Sequence, residues 1–322
     1  MRAQGGTVSP GNRVGRSVIV ATSRPMSIAD VERPADDGLF GPESVTWRAM
    51  ASPAAAIAGA TAVLMQMLHP RVVRMIDQAS SVREKPEERA RLTSEYLTTI
   101  FYGDTAAAER AGEVLRTIHS HRKAVDPVSG DTYTPNEPDL LLWVHSTLVW
   151  AVLAGCQRWG PKLTVAERDR FVDEQRIAAR LVGIDPEAAP RSVAELDAYM
   201  DQMLPHLAYV TSTRFMREMM VPPKLPFTAA GLVQLVLTRA AADLLPPAMQ
   251  DLYGFRWAAL NHALVRLGSG VLIALAWAKV PYAKLLPELR AQSAAHAFGG
   301  VAKKQRRARE RRRVGRGGAG RG

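Results

Sequence analysis

Cysteine is almost absent from this sequence of 322 residues, because Cys156 is the only one. A single cysteine excludes a disulfide framework and every zinc or iron–sulfur site that needs several thiolates. Cys156 lies in an apolar run with helical spacing, which indicates an inert core thiol rather than a nucleophile.

Strand-like alternation and several catalytic motifs are also missing. The sequence contains neither the GxSxG elbow of α/β-hydrolases nor the GxxxxGK[ST] phosphate loop. No HExxH motif occurs, and no two histidines lie four residues apart as a helix-borne zinc site would need. Apolar residues recur at helical spacing from residue 44 to 297 instead, and the lack of strands argues against a Rossmann unit. We therefore predict one large all-α domain of about ten helices.

Several helix starts can be read directly from the sequence. Asn136 followed by Pro138 predicts a helix start, and the glycines of residues 155–160 are expected to weaken the end of that helix. Capping boxes are predicted at Thr164 to Glu167 and at Ser192 to Glu195.

The net charge of +11 lies mostly at one end of the chain. Residues 303–322 carry +9 and the rest of the chain only +2, so the body shows no basic signature of nucleic-acid binding. We predict a disordered arm at residues 1–40, a folded domain at 41–300 and a disordered Arg/Gly-rich tail at 301–322. The Ala-rich run at 51–68 is interpreted as a buried core helix, and no secretory signal is recognised. We expect a cytoplasmic protein, no specific nucleic-acid partner and weak membrane-surface contact through the basic tail.

Two of the seven histidines have mainly apolar neighbours. His119 lies near the end of a predicted helix at 106–121, and His145 shares a helix face with Leu141, Leu148 and Val149. A buried imidazole needs a partner for its nitrogens. Either residue could be a hydrogen-bonded core histidine or a ligand to a large apolar cofactor held between helices. No CxxCH motif occurs, so a haem would be held without covalent attachment.

An ordered set of short runs resembles a known family. The runs are GPESVTWR at 41–48, LMQMLHP at 64–70, RARLT at 89–93, FYG at 101–103, IH at 118–119, DPVSGDTY at 126–133 and PDLLLWVHST at 138–147. Together they resemble the family of latex-clearing rubber oxygenases and MpaB-type oxygenases, over about residues 40 to 260.

The resemblance implies an all-α fold and a non-covalent haem b held by one histidine. The IH run would make His119 the proximal ligand and metal-binding residue, and the R-x-x-[KR]-T motif would make Arg89 and Thr93 the distal pair. The alternative from the residues alone is a surface Arg89 that pairs with Glu84 or Glu88, and a Thr93 that bonds to its own backbone carbonyl. His69 and His145 also match family positions, as supports of the cofactor site or, less favourably, as the ligand itself. The sequence departs from the family at Leu92, where a basic residue is usual.

A second departure is Gln78, where relatives often carry histidine.

The resulting hypothesis is a haem-dependent oxygenase that acts with dioxygen on an apolar small molecule. The alternative is a haem- or lipid-binding helical protein without turnover, and Leu92 and Gln78 favour it. A nucleic-acid-associated protein that uses the basic tail is a third reading.

Overall fold

The computed structural model describes residues 34–80, 82–126, 128–221, 228–255, 259–279 and 282–296. Within these ranges the chain forms 13 α-helices, one short 3₁₀-helix and one two-stranded hairpin. The prediction of a single all-α domain is confirmed. Most of the predicted N-terminal arm, residues 1–33, and the whole tail at 301–322 lie outside the described residues.

The helices follow one another with short connections. Their bounds are α1 Val45–Met50, α2 Ala54–Gln66, α3 Pro70–Ala79, α4 Pro86–Tyr102, α5 Thr105–Ser120, α6 Pro138–Trp159, α7 Val165–Val182, α8 Val193–Met203, α9 Thr211–Met220, α10 Ala229–Leu244, α11 Pro247–Tyr253, α12 Ala259–Lys279 and α13 Tyr282–His296. The 3₁₀-helix is Leu204–His206, and the hairpin pairs β1 Ala124–Val125 with β2 Thr132–Tyr133.

Helix starts follow the capping chemistry of the sequence. The predicted box at Thr164 is complete, because the hydroxyl accepts from the Glu167 N–H and the Glu167 carboxylate accepts from the Thr164 N–H. The box at Ser192 is only half formed. Ser192 accepts from the Glu195 N–H, whereas the Glu195 carboxylate accepts from Arg191 N–H at 2.8 Å. That carboxylate still satisfies a backbone donor beside the helix start.

Helix α6 lies at the centre of the core and packs along α2. A Cβ atom at Gly155 would lie 3.2 Å from the Ala58 Cβ, so this glycine lets the two helices approach closely. Trp143 is fully buried, and Cys156 is buried as predicted, with burial raising the pKa of its thiol to about 12.

A buried carboxylate joins three helices. Asp243 on α10 is 1% exposed and accepts from the Arg158 guanidinium on α6 at 2.7 Å. On α12, His262 Nδ1 also pairs with Asp243, and Arg266 Nε lies 3.3 Å from its second oxygen. Arg158, Arg266 and His262 thus all pair with the buried carboxylate of Asp243. Removing these partners would leave the negative charge of that carboxylate buried without compensation.

Residues 36–40, which the sequence assigns to the arm, contact the body. The Phe40 ring lies 5.5 Å from the Phe101 ring, and Arg290 Nη1 lies 2.6 Å from the Asp37 carboxylate. The ordered contacts therefore begin a few residues before the predicted domain start at 41.

One described helix, Pro138–Trp159, is long and apolar enough to cross a membrane, and two bent helix pairs would bring the number of candidates to three. In this fold 61% of the candidate window in α6 is buried inside the protein.

A different apolar surface lies outside the core. On α12 the four side chains that form it are each more than half exposed: Leu264, Leu267, Val271 and Leu275. We call these four residues the α12 apolar face.

Candidate active site

The hairpin of α4 and α5 brings two of the predicted site residues to the same end. Only Gly103 and Asp104 separate the helices, and Asp104 caps α5 by accepting from the Ala107 N–H at 2.7 Å. Arg89 lies near the start of α4 and His119 in the last turn of α5. Both are about four turns from the connection, so antiparallel packing places them side by side. The Arg89 charge accordingly helps to lower the pKa of His119.

Arg89 and Thr93 form a pair on one edge of α4. The Arg89 Nη1 donates to Thr93 Oγ1 at 3.0 Å, and that hydroxyl donates to the Arg89 carbonyl at 2.9 Å. No carboxylate pairs with Arg89 among the described residues. Arg89 and Thr93 are both exposed residues, and the Thr93 hydroxyl bonds to a carbonyl of its own helix, as a surface position of the pair would give. Desolvation and nearby Arg122 nevertheless lower the pKa of Arg89.

His119 has an unusual polar environment. Burial is the main reason that its pKa falls to about 4, and the imidazole is therefore neutral near pH 7. Its Nδ1 is a buried atom without a hydrogen-bond partner in the described structure. Nε2 is not among the buried atoms that lack a partner. A neutral imidazole has the state that an iron ligand needs.

His145 and His69 belong to the neighbouring part of the fold. Burial lowers the pKa of His145, which lies two turns into α6, to about 4, while its side chain remains partly accessible. No hydrogen bond within the described residues joins it to His119 or His69. His69 is buried before α3, and its ring lies 6.2 Å from that of Trp143. Burial also lowers the pKa of His69.

Large apolar side chains are exposed beside these polar groups. Leu92 follows Arg89 on α4 and is 41% exposed, Ile118 precedes His119 on α5 and is 40% exposed, and Val144 precedes His145 on α6 and is 36% exposed. An exposed apolar cluster beside desolvated polar groups is typical of a small-molecule site. On the α4–α5 hairpin we call the group formed by Arg89, Leu92, Ile118 and His119 the histidine recess. Val144 and His145 lie on α6.

A comparison with protein-family models identifies the chain. Residues 47–274 match the model described as "ER-bound oxygenase mpaB/B'/Rubber oxygenase, catalytic domain". The chain belongs to this oxygenase family. The match contains every element of the histidine recess, so the recess lies inside the oxygenase catalytic domain. No curated protein and no solved structure matches the chain.

Two sequence departures from this oxygenase family have clear positions in the fold. Leu92 adds an apolar surface beside Arg89 where a basic residue is usual. Gln78 lies at the end of α3, and its Oε1 accepts from the Val125 N–H at 3.1 Å. Gln78 therefore holds the β-hairpin in place.

The oxygenase domain contains no group of three or more His, Cys, Asp or Glu side chains that could hold a metal ion, within the residues that the structure describes. A porphyrin brings four nitrogen ligands of its own and needs only an axial ligand from the protein. The neutral imidazole of His119 suits that requirement.

Sequence reasoning missed two residues close to His119. Asn136 appeared only as a helix-start signal, yet its side chain approaches the imidazole closely enough to raise the His119 pKa slightly. Arg122, just beyond α5, adds a second positive charge near Arg89. The only sequence signal for Arg122 is its position, as a basic residue three places after His119.

Proposed function

We propose that this protein is a haem b-dependent oxygenase that oxidises an apolar small molecule. The observation that carries the proposal is the histidine recess, where a neutral imidazole lies beside an arginine that no carboxylate neutralises. Membership of an oxygenase family supplies the reaction class. The exposed apolar surfaces of Leu92 and Ile118 support a hydrocarbon-like ligand as the substrate.

His119 is the proposed axial ligand, through Nε2. Haem iron, when bound, would supply the activation of dioxygen that protein side chains do not provide. The chain's own contribution is to hold the imidazole neutral, which burial achieves by lowering its pKa to about 4. His69 and His145 are assigned supporting positions around the cofactor.

Arg89 and Thr93 are the proposed polar groups on the reacting side. One Nη1 hydrogen of Arg89 goes to Thr93, and the remaining guanidinium donors are free to meet a ligand that carries negative charge. Because Thr93 donates its proton to the Arg89 carbonyl, its role is to orient the guanidinium rather than to donate to a ligand.

The alternative is a haem- or lipid-binding protein without turnover, and Leu92 is the residue that favours it. Replacing a cation with leucine removes one positive group that could stabilise charge on reduced dioxygen. The two readings share the cofactor site and differ in whether dioxygen is consumed with an apolar substrate.

We place the protein in the cytoplasm, with weak contact to a membrane surface and no specific nucleic-acid partner. The α12 apolar face and the ten basic residues between 303 and 322 support this contact. The burial of α6 supports its role as a core helix rather than a membrane span.

The decisive experiment compares haem content in three variants. We expect the purified protein to show a Soret band and a b-type pyridine haemochrome, and His119→Ala to lose both while its helix content by circular dichroism is kept. His121→Ala is the matched control, because this exposed histidine lies two residues away and bonds only to the end of its own helix. Loss of haem in His145→Ala together with retention in His119→Ala would reverse the assignment of the ligand.

A further inference from the structure

The connection between α5 and α6 carries a side chain that ties the two helices together. Asn136 lies two residues before the start of α6, and its Nδ2 donates to the Arg116 carbonyl in the last turns of α5 at 3.2 Å. A carbonyl can only accept, so the NH₂ end of the amide must face Arg116. The Asn136 Oδ1 consequently points away from that carbonyl.

Two complementary atoms are left without partners beside this tie. Asn136 Oδ1 is buried and accepts no hydrogen bond of standard geometry, and His119 Nδ1 is buried with no partner either. His119 lies three residues after Arg116, so the two residues share a face of α5. An acceptor without a donor and a donor without an acceptor are each costly when buried, and pairing the two atoms would satisfy both.

The electrostatics at His119 agree with this pairing. Among the causes that act on its pKa, burial and Arg89 lower it, whereas the Asn136 side chain raises it. A rise is what an oxygen acceptor produces, because it stabilises the protonated ring nitrogen.

We propose that Asn136 is the positioning residue of the haem ligand, with its Oδ1 accepting the Nδ1 proton of His119. This bond would fix the tautomer that carries hydrogen on Nδ1 and leave the Nε2 lone pair directed toward the histidine recess. The inference rests on the proposed function, because it concerns the ligand of the proposed cofactor. It adds a residue that works through His119 and does not itself touch cofactor or substrate.

The first test uses the protein without haem, so that it does not depend on cofactor binding. Nitrogen-15 NMR of histidine-labelled protein, with the His119 signals assigned by their loss in His119→Gln, reports which ring nitrogen carries the proton. We expect the Nδ1–H tautomer in the wild type and in Asn136→Asp, which keeps an acceptor oxygen. Asn136→Leu should shift His119 toward the Nε2–H tautomer.

A matched control comes from another side-chain amide that ties two helices. Gln66 Nε2 donates to the Val144 carbonyl and to Thr147 Oγ1, both at 3.2 Å, and contacts neither α5 nor His119 in these bonds. Gln66→Leu should therefore leave the His119 tautomer unchanged. An Nε2–H tautomer in the wild-type protein would overturn the proposal even if Asn136→Leu failed to fold.

The second test uses haem-loaded protein. Loss of a residue that orients a metal ligand typically weakens metal affinity about 10- to 100-fold. We expect Asn136→Leu to release haem to an apomyoglobin acceptor at least about ten times faster than wild type, and Asn136→Asp to lower the reduction potential because a carboxylate makes the imidazole a stronger donor. Unchanged release and potential in both variants would overturn the proposal.

The two tests separate this inference from the function on which it rests. A wild-type Nδ1–H tautomer that disappears in Asn136→Leu, in a protein that takes up no haem, would retain the hydrogen bond and reject the proposed cofactor. If haem binds through His119 and substitutions of Asn136 have no effect, the proposed cofactor is retained and the hydrogen bond is rejected.

Discussion

At the scale of single residues, the charge on Arg89 defines the polarity of the histidine recess. The other arginine on α4, Arg91, is neutralised by Glu95, whereas the side-chain partner of Arg89 among the described residues is Thr93, and the positive Arg122 lies near it. A cation without a carboxylate partner favours an anionic or strongly polarised ligand.

Replacing Arg89 should therefore weaken the binding of an anion to the haem-loaded protein. We expect Arg89→Ala to keep near-normal haem content but to bind cyanide about ten times more weakly or worse, because a hydrogen bond to a charged group is worth about 1.5–3 kcal/mol. Spectral titration gives the dissociation constant. Arg91→Ala is the control, since Arg91 lies on the same helix with its own carboxylate partner. Equal cyanide affinity in both variants would place Arg89 outside the site.

The burial of His145 predicts a pH dependence of stability in the haem-free protein. Desolvation lowers the pKa of His145 in the fold to about 4, against an unfolded value of 6.5. Between these values the unfolded chain binds the additional proton, so the free energy of unfolding falls as the pH drops from about 6.5 toward 4.

Urea unfolding at pH 7 and pH 5 measures this effect. His145→Gln should lose less stability than wild type on acidification, whereas His121→Gln, which changes an exposed imidazole, should behave as wild type. If the free energy of unfolding of His145→Gln falls between pH 7 and pH 5 as much as that of the wild type, the His145 imidazole is well solvated in the fold.

At the scale of the helices, much of the fold can be predicted from the sequence. The helical spacing and the Asn136, Thr164 and Ser192 start signals locate helix starts, and the two-residue connection of α4 and α5 implies that they are antiparallel. Of the two glycines expected to weaken the end of α6, Gly155 does not interrupt the helix, whereas Gly160 is its C-cap after Trp159. Gly155 is present for close contact with α2, and burial there outweighs its low helix propensity.

Other features depend on tertiary packing and leave little trace in the sequence. The short β-hairpin is held partly by Gln78, which lies 47 residues before its partner Val125. The position of Asn136 beside His119 depends on how α6 returns toward the end of α5. Spacing arguments apply within one helix, so they could predict the Arg89–Thr93 pair but not a partner contributed by a different element.

Replacement of glycine by leucine should have opposite effects on the free energy of unfolding at two helical positions, because only one of them lies in the close contact of α2 with α6. Gly155→Leu should lower the free energy of unfolding by about 1–3 kcal/mol, because its Cβ meets Ala58 and the side chain must be forced into a packed interface. Gly270→Leu on α12 should raise it by about 0.5–1 kcal/mol, since no atom lies within 4 Å of the added Cβ and leucine favours the helix. Urea titration of both variants measures the difference, and equal stability would contradict the close helix contact.

At the scale of the whole molecule, the apolar surface and the positive charge are unevenly distributed. The body outside residues 303–322 carries a net charge of only +2, and the α12 apolar face presents four large aliphatic side chains without covering structure among the described residues. Exposed apolar patches on soluble domains commonly mark interaction surfaces. An apolar substrate that partitions into lipid would also reach the recess most readily from a membrane surface.

We therefore expect weak binding to anionic vesicles that needs both features. The full chain should sediment with vesicles containing phosphatidylserine and less with purely zwitterionic ones, and added salt should reduce the binding because it screens the charges. Each basic residue near such a surface contributes about 1 kcal/mol, so removing the ten basic residues by truncation after residue 302 should lower the vesicle affinity at least about ten-fold. The truncated chain should keep its haem content, which would show that its fold is intact.

The α12 apolar face can be tested separately from the tail. Leu267→Gln with Leu275→Gln should reduce vesicle binding in the full chain, because two aliphatic side chains that are 66% and 53% exposed could no longer enter the lipid interface. Val165→Gln is the matched control, since this valine is 67% exposed at the start of α7 and belongs to a different surface. If the tail truncation abolishes binding and the α12 pair changes nothing, the contact is purely electrostatic. Equal binding by the wild type and all variants would exclude a membrane role for both features.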